Sequence, residues 1–301
     1  MFFPGWATMM AGYAAARGEL RFSAWPDPLL QFHWLPIDLI HAGLYLAFAM
    51  GAGSVLNQIH DIESDTLNSK LFILGKKYVP VQHAYIESIL LLIFSIVLAY
   101  LLNPASALVL ILSLVWAGYL YNFYPFAFKN YPIRGLIANM VMGWSVFVMG
   151  WLVIKPFDID GIIVSIPYLL YNTALYLITT LPDMLGDKRT GKRTIAVAYG
   201  PRATLWLCRL FMAMSLVTAF YLQDALVTLV AVAAIPLVAF AAFRLNVETA
   251  VRAVKLGIFF FSLGICIKFP GFLVMIVAAY FGTRYYYKAR FDYDYPNFKG
   301  K

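Results

Sequence analysis

Long apolar runs alternate with short polar segments along the whole chain, and this pattern predicts a membrane protein built of helices. Hydropathy gives ten runs that are apolar enough to be transmembrane spans. They are residues 2–16, 37–58, 82–102, 105–123, 135–154, 161–181, 203–221, 225–243, 251–266 and 269–287. Pro270 and Gly271 separate the last two runs, so a kink in place of a turn there would leave nine spans. We therefore expect an all-α bundle of nine to ten transmembrane helices in one domain, residues 1–301.

The composition and the distribution of charge agree with this pattern. The chain is 62% hydrophobic and only 13% charged, which excludes an ordinary soluble domain. If the segment after the second span faces the cytoplasm, 18 basic residues lie on the cytoplasmic side and four on the other. This asymmetry follows the positive-inside rule and favours ten crossings over nine. We expect a multi-pass integral protein of the lipid bilayer, with its C-terminal residues in the cytoplasm and no nucleic-acid partner.

Polar residues interrupt the apolar pattern at the end of the second span. Asn57, Asp61 and Asp65 are spaced four apart, so on one helix they would share a face and rise about 6 Å per step. Carboxylates at the C-terminal end of a helix repel its dipole and each other. A bound cation would remove both repulsions, and hard cations such as Mg²⁺ prefer oxygen ligands. The stretch is therefore a candidate metal site on the cytoplasmic side.

A second acidic stretch repeats the first after a constant interval. Asp183 and Asp187 follow the sixth span, and each lies 122 residues after Asp61 and Asp65 respectively. The equal interval predicts an internal duplication of a four-helix unit, whose two acidic motifs lie at the mouth of a central cavity that opens to the cytoplasm. The predicted pseudo-repeats cover about 1–123 and 135–243, and an additional helix covers about 269–287.

The two acidic stretches resemble the two signatures of the UbiA superfamily of intramembrane prenyltransferases. The first reads Asn57-xxx-Asp61-xxx-Asp65, and the second reads Asp183-xx-Gly186-Asp187-xxx-Gly191-xx-Thr194. The stretch from Tyr124 to Lys129 resembles the third, weaker Tyr-xxx-Lys element of that family, although it is one residue longer. The resemblance implies nine spanning helices around a central cavity, and the transfer of a prenyl group from a prenyl diphosphate to an acceptor that is usually aromatic.

The resemblance also implies roles for individual side chains. Mg²⁺ ions that bridge the diphosphate would be held by Asn57, Asp61, Asp65, Asp183 and Asp187, and the four aspartates would be catalytic. The basic contacts to the diphosphate would come from Lys129, Lys192 and Arg193. Further substrate contacts are expected from Tyr121, Tyr124, Lys188, Asn68 and Lys70.

The same chemistry follows from the charges. A prenyl diphosphate joins an apolar tail to a head with about three negative charges, which carboxylates alone would repel. Mg²⁺ between them would turn this repulsion into attraction and would neutralise the charge that develops on the departing pyrophosphate. An apolar cavity would shield the resulting allylic cation, and aromatic rings would stabilise it by cation–π interaction.

Several functions remain compatible with the sequence. A phenolic or quinone precursor is the default acceptor, and the alternatives are glyceryl phosphate, a porphyrin, or a phosphoribosyl donor that reverses the roles. A different class is a cation-coupled transporter that uses the acids as ion sites. Transporter sites tend to lie near the midplane of the membrane, whereas these acids lie at helix ends beside basic segments. We therefore expect an Mg²⁺-dependent prenyltransferase that acts on a prenyl diphosphate and a lipophilic acceptor.

Overall fold

The computed structural model describes residues 3–23, 34–67 and 72–295, and most of these residues are helical. The α-helices are α1 Phe3–Ala16, α2 Ile37–His60, α3 Ile62–Leu67, α4 Phe72–Gly75, α5 Val81–Leu102, α6 Pro104–Leu114, α7 Pro132–Leu152, α8 Ile159–Thr179, α9 Met184–Arg189, α10 Ile195–Tyr221, α11 Ala225–Arg244, α12 Val247–Lys268 and α13 Pro270–Phe291. Helix α6 continues into a π-helical segment, Val115–Leu120, and a 3₁₀ segment covers Phe128–Asn130. The predicted all-α class is confirmed for these ranges.

Seven of the described helices are long and apolar enough to cross a membrane, namely α2, α5, α7, α8, α10, α11 and α12. Helix α1 has only 14 residues, and α6 with its π-helical segment forms a shorter apolar helix. The prediction of a multi-helix integral membrane protein is therefore confirmed, whereas the number of crossings and the side that faces the cytoplasm stay predictions.

Two of the predicted spans begin too late. The run predicted at 251–266 belongs to a 22-residue helix, α12, which begins four residues earlier because the side chain of Asn246 accepts a hydrogen bond from the backbone N–H of Glu248. Helix α10 begins at Ile195 rather than at 203, and it is kinked at Gly200, where φ is 82°, just before Pro201. In both cases the helix continues beyond its apolar run into polar residues, which hydropathy alone does not register.

The helices pair in the same way in the two halves of the chain. Helix α2 packs along α5, and helix α8 packs along α10. Helices α2 and α8 begin at Ile37 and Ile159, and the short helices α3 and α9 cover 62–67 and 184–189. These starting points differ by the same 122 residues as the acidic motifs. The bounds support the predicted duplication, which itself stays a prediction.

Helices α1 and α7 cross each other closely at two glycines. A Cβ atom at Gly12 would overlap the carbonyl oxygen of Phe147, and a Cβ atom at Gly150 would overlap the carbonyl oxygen of Met9. The two contacts are symmetric, because Phe147 lies three residues before Gly150 and Met9 lies three residues before Gly12. Small residues permit this kind of close helix crossing in membrane proteins. The crossing joins the first helix of each predicted repeat.

The last hydrophobic region consists of two helices, because α12 ends at Lys268 and α13 begins at Pro270. The start of α13 contacts the segment before α2, where a Cβ atom at Gly271 would lie 3.3 Å from Leu35. Its end contacts the segment before α5, where the ring centroids of Phe291 and Tyr78 are 5.2 Å apart. Helix α13 therefore extends from one end of the bundle toward the other, but it is not among the seven described helices that are apolar enough to cross a membrane, so the tenth crossing stays a prediction.

Candidate active site

The first acidic motif is built where α2 gives way to α3. Helix α2 ends at His60, Asp61 lies in a turn with φ of −111° and ψ of 11°, and α3 begins at Ile62. The backbone N–H of Asp65 donates to the carbonyl of Asp61 at 2.8 Å, which closes the first turn of α3. The helix end expected at this stretch thus falls inside the motif, with Asn57 on α2, Asp61 in the turn and Asp65 on α3. The turn leaves Asp61 at the C-terminal end of α2.

The second acidic motif includes α9 and a glycine turn. The backbone N–H of Lys192 donates to the carbonyl of Asp187 at 2.8 Å, and that of Gly191 donates to the carbonyl of Lys188 at 3.4 Å. With φ of 78° at Gly191, these bonds form a Schellman motif, the common helix ending that requires a left-handed residue. The turn folds the chain back on α9 and directs Lys192 toward Asp187.

Two lysines converge on one carboxylate oxygen of the first motif. Asp61 Oδ1 accepts hydrogen bonds from Lys129 Nζ at 2.7 Å and from Lys192 Nζ at 2.6 Å. Asp61 is 8% exposed and Lys129 is 7% exposed, so the three charged groups meet in a largely buried place. Buried charges persist only when they are paired. The fold thus brings Asp61 of the first motif together with two of the predicted basic residues, Lys129 and Lys192.

The second motif joins the same cluster through Lys192. Its Nζ lies 3.9 Å from Asp187 Oδ1 as well as 2.6 Å from Asp61 Oδ1. Helices α3 and α9, which carry Asp65 and Asp187 respectively, pack against each other. The backbone N–H of Arg193 donates to the carbonyl of Asn130 at 3.1 Å, which ties the segment after α9 to the one that carries Lys129. The predicted meeting of the two motifs is therefore present.

Asn122 belongs to this arrangement, and the sequence analysis missed it. Its Oδ1 accepts a hydrogen bond from Lys129 Nζ at 3.0 Å, and its Nδ2 donates to the carbonyl of Gly118 at 3.0 Å. Gly118 lies in the π-helical segment, and Asn122 is only 6% exposed. Lys129 therefore has two acceptors, one charged and one neutral. We call Asp61, Asn122, Lys129, Asp187 and Lys192 the acid–lysine cluster.

Two tyrosines lie beside the cluster. Tyr121 Oη accepts a 3.5 Å contact from Asn139 Nδ2, and Tyr121 also shares a hydrogen bond with Tyr176. Tyr121 lies close enough to Asp61 and Asp187 to interact with both charges. Tyr176 of α8 was not predicted, although it lies in the last turn of α8, seven residues before Asp183.

The electrostatics of the cluster are dominated by the two lysines. Burial alone would raise the pKa of Asp61, but the ammonium groups of Lys129 and Lys192 outweigh it and lower that pKa below its ordinary value. Burial also lowers the pKa of Lys129, and the charge of Asp61 opposes this change without cancelling it. Asp61 is therefore held as a carboxylate that two cations share.

The other predicted site residues differ in how close they lie to the cluster. Asp65 and Asp183 are half-buried beside the cluster, and Asp65 is near enough to interact with the charge of Lys129. Tyr124 is 90% exposed, and Lys188 and Arg193 also point their side chains to the exterior. Tyr124 follows Asn122 in a turn that carries it away from the cluster. Asn68 and Lys70 lie outside the described residues.

The residues at the cluster fit a hard metal ion chemically, although they do not form a ready-made metal site. Within the described ranges, no three acidic, histidine or cysteine side chains are gathered as metal ligands. The available donors are carboxylate and amide oxygens, which suit Mg²⁺. Asn57 Oδ1 is buried and has no hydrogen-bond partner in the structure. Such a buried oxygen favours a cation, and Lys192 already supplies cationic charge between Asp61 and Asp187.

A largely apolar groove of about 870 Å³ lies between α6 and α7. Near the acid–lysine cluster it begins at Trp116, whose ring packs against Phe128 with centroids 5.8 Å apart. Phe128 directly precedes Lys129. At its other end the groove reaches Asn103 and Lys155. Its volume falls within the usual range for small-molecule binding sites, about 300–1,000 Å³.

The sequence and the fold are both similar to those of known proteins. The sequence model of the UbiA prenyltransferase family matches residues 31–265. A digeranylgeranylglyceryl phosphate synthase of Methanosphaera stadtmanae is 23% identical over 175 residues, which cover 58% of this chain and 62% of that protein. A protein with the same name from Sulfurisphaera tokodaii is 26% identical over 191 residues, which cover 62% and 66% of the two chains. The matches thus span about two thirds of these relatives.

A solved structure supports the fold. The structure of a UbiA homolog from Archaeoglobus fulgidus bound to GPP and Mg²⁺ aligns with a TM-score of 0.63, and the alignment covers 88% of this chain and 96% of that one. The sequence identity between the two is 18%. At this identity the likeness bears on the fold alone.

Proposed function

Because the chain belongs to the UbiA prenyltransferase family, we propose that it transfers a prenyl group from a prenyl diphosphate to a lipid acceptor, with Mg²⁺ as cofactor. The observation that carries this proposal is the convergence of Lys129 and Lys192 on Asp61, with Asp187 beside them. The arrangement combines oxygen ligands for a metal with ammonium groups for a diphosphate. Both are needed to bind an anionic head at a buried site.

The chain's own residues would bind and orient the head of the donor. We assign the metal to Asn57, Asp61, Asp65, Asp183 and Asp187, and the diphosphate oxygens to Lys129 and Lys192. Bound Mg²⁺ would supply charge neutralisation for the leaving group. The exposed side chains of Lys188 and Arg193 would contribute attraction at longer range. Tyr121 and Tyr176 lie where aromatic faces could stabilise an allylic cation.

The proposed reaction exchanges one carbon–oxygen bond for another. The bond between the allylic carbon and the diphosphate oxygen breaks, and its electron pair leaves with pyrophosphate. A hydroxyl oxygen of the acceptor forms the new bond to that carbon and passes its proton to the departing pyrophosphate. The apolar groove between α6 and α7 would accommodate the prenyl chain, since it begins at Trp116 beside the segment of Lys129.

We place the acceptor in the glyceryl phosphate class. The relatives named above are digeranylgeranylglyceryl phosphate synthases, a name that implies an acceptor with one geranylgeranyl chain already attached to glyceryl phosphate. This differs from the aromatic default that the sequence analysis expected. The basic residues of the cluster also suit an acceptor that brings a second anionic group. A phenolic acceptor is the competing outcome of the experiment.

The test is an assay of the purified protein in detergent with Mg²⁺ and radiolabelled geranylgeranyl diphosphate. Geranylgeranylglyceryl phosphate and a set of phenols would be supplied as alternative acceptors, and both prenylated product and pyrophosphate would be measured. Asp61→Asn and Asp183→Asn should each lower the rate by roughly 10²-fold or more, the size of effect seen when a key charge-stabilising group is lost. The double variant should add little, because groups that act as a unit are not additive.

Three results would contradict the proposal. Full activity of both aspartate variants, or release of pyrophosphate without a divalent metal, would remove the acidic motifs from the reaction. A protein that releases no pyrophosphate with any acceptor, yet moves a cation into liposomes only when Asp61 is intact, would be a transporter. Transfer to phenols alone would keep the enzyme class and move the acceptor to the aromatic class.

A further inference from the structure

We infer that Lys129 and Lys192 act as internal counter-cations that close the metal site at Asp61 until a diphosphate arrives. This inference rests on the proposed function and concerns the order and coupling of ligand binding. Both ammonium groups contact the same carboxylate oxygen, Asp61 Oδ1, at 2.7 and 2.6 Å. A metal ion that used this oxygen would meet two positive charges within hydrogen-bonding distance of it. The lysines must therefore leave before the oxygen can serve as a ligand.

Helix geometry explains why Asp61 needs these cations. Asp61 follows the last residue of α2, where the carbonyl end of the helix carries partial negative charge. It is 8% exposed, so water compensates little for the repulsion between this helix end and the carboxylate. Two lysines remove the repulsion when no metal is bound. Either a metal or the lysines can balance this charge, which makes them competitors for one oxygen.

Each lysine has a second acceptor that keeps it near the site after it leaves Asp61. Lys129 also donates to Asn122 Oδ1 at 3.0 Å, and Lys192 lies 3.9 Å from Asp187 Oδ1. Release from Asp61 would therefore move each ammonium group by a short swing rather than into solvent. The freed charges would lie beside the metal site, where a diphosphate bound to the metal would need them. Metal binding at Asp61 would release the two lysines, and diphosphate would bind the released lysines. Each ligand would thus favour the binding of the other.

The inference predicts two opposite effects. Removing a lysine should improve the binding of metal alone, and removing the Asp61 carboxylate should improve the binding of pyrophosphate alone. Lys192→Gln should bind Mn²⁺ alone roughly tenfold more tightly than the wild-type protein, since one nearby charge commonly changes an ionic equilibrium by about that factor. Lys129→Gln should change Mn²⁺ affinity in the same direction. Reciprocally, Asp61→Asn should bind inorganic pyrophosphate without metal more tightly than wild type, because Lys129 and Lys192 no longer pair with a carboxylate at position 61. Lys192→Gln should bind that pyrophosphate more weakly.

Electron paramagnetic resonance of Mn²⁺ and equilibrium dialysis of radiolabelled pyrophosphate in EDTA would measure these affinities separately. Arg202→Gln is the matched control, because it removes a basic charge from exposed Arg202 at the start of α10. Its Mn²⁺ affinity should equal that of wild type. Lys192→Arg keeps the charge and should also show no gain. Thermal unfolding in detergent would establish that each variant is folded before its affinity is compared.

An unchanged or weaker Mn²⁺ affinity in folded Lys192→Gln and Lys129→Gln would overturn the inference. An equal gain in Arg202→Gln would overturn it too, because the effect would then come from overall charge. These outcomes are distinct from failure of the proposed function. If the protein transfers prenyl groups but shows no such change in affinity, only the inference is wrong. If it shows the changes in affinity but transfers no prenyl group, only the proposed function is wrong.

Discussion

The two ends of the bundle each bury a carboxylate between two cations, yet the two clusters differ in how those cations are held. At the end opposite the acid–lysine cluster, Glu19 contacts Arg17 through Oε1 at 2.6 Å and Lys268 through Oε2 at 3.3 Å. Each cation there has its own carboxylate oxygen. In the acid–lysine cluster, Lys129 and Lys192 share one oxygen of Asp61. Arg17, Glu19 and Lys268 are called the opposite-end cluster below.

The two clusters also differ in their relation to the helix dipoles. Arg17 follows the end of α1 and Lys268 is the last residue of α12, so both cations stand at negative helix ends, where they are favourable. Asp61 is an anion at a negative helix end, which is unfavourable without a counter-cation. The charges of the opposite-end cluster are therefore favourable without any bound ligand. The acid–lysine cluster is balanced only by groups that a ligand can replace, and this difference separates a structural ion pair from a candidate site.

The largest expected effect tests the structural cluster. Lys268 is 5% exposed, and Lys268→Met would leave Glu19 with only the partly exposed Arg17 as a partner. Removing one member of a buried ion pair typically lowers the free energy of unfolding by about 3–5 kcal/mol. We expect a correspondingly lower melting temperature in detergent. The affinities for Mn²⁺ and pyrophosphate of the protein that remains folded should not change.

A double-mutant comparison sharpens this prediction. Glu19→Gln with Lys268→Met removes both buried charges and should be less destabilised than Lys268→Met alone. Arg17→Gln should have a much smaller effect, below about 1 kcal/mol, because the side chain of Arg17 is 36% exposed and its ion pair is screened by water. If Lys268→Met instead weakened ligand binding without lowering stability, the division between a structural end and a binding end would be wrong.

The second expected effect concerns the anchor of Lys129. Asn122→Leu keeps a similar volume but removes the acceptor that Lys129 uses besides Asp61. A hydrogen bond to a charged group contributes about 1.5–3 kcal/mol, so pyrophosphate affinity should fall by roughly tenfold or more. Equilibrium dialysis would measure this affinity in the presence of Mg²⁺, and a shift in KM for the donor larger than the shift in kcat would mark a positioning residue.

Asn172→Leu is the control for this substitution. Asn172 also makes a side-chain hydrogen bond across helices, to Thr8 Oγ1 at 3.1 Å, but it contacts neither lysine. Its loss should lower stability and leave pyrophosphate affinity unchanged. Equal losses of affinity in the two variants would show that Asn122 acts through general packing rather than through Lys129.

The residues of the acid–lysine cluster differ in how far the sequence could predict them. Asp61 and Asp187 follow from helical spacing and from the repeated interval, and Lys129 and Lys192 follow from the family resemblance. Their mutual pairing was not predictable, because Lys129 and Lys192 lie 68 and 131 residues from Asp61 along the chain. The packing of α3 against α9 and the hydrogen bond from Arg193 to Asn130 bring these segments together.

The stretch before Lys129 shows what spacing alone leaves open. The resemblance named both Tyr121 and Tyr124, and in the structure Tyr124 is 90% exposed, whereas Tyr121 and Asn122 face the cluster. The cause is the end of the helix after Asn122, since the turn that follows carries Tyr124 away from the cluster. Neither hydropathy nor regular helical periodicity predicts this change in the direction of the chain. The helices themselves were predictable because apolar runs of sufficient length determine them, apart from ends set by caps and kinks.

The smallest expected effect tests the turn that directs Lys192 into the cluster. Gly191 has φ of 78°, and a Cβ atom there would meet no other atom within 4 Å. Gly191→Ala would therefore fit sterically and act only through the left-handed backbone, which costs an alanine about 1 kcal/mol. This strain would favour conformations of the turn in which Lys192 lies outside the cluster, away from both Asp61 and Asp187, so pyrophosphate affinity should fall by about fivefold.

Two further variants separate backbone strain from other effects of replacing Gly191. Gly191→Asn should lose less affinity than Gly191→Ala, because asparagine adopts left-handed conformations more readily. Gly282→Ala is the matched control: Gly282 lies in α13 and also has open space at its Cβ, but its φ is negative, as in an ordinary helix. Its affinity for pyrophosphate should equal that of wild type, and its stability should be equal or slightly higher. If Gly191→Ala retained full affinity while Lys192→Gln lost it, Lys192 would reach Asp61 independently of the Schellman turn, and the acid–lysine cluster would be more adaptable than its fixed hydrogen bonds indicate.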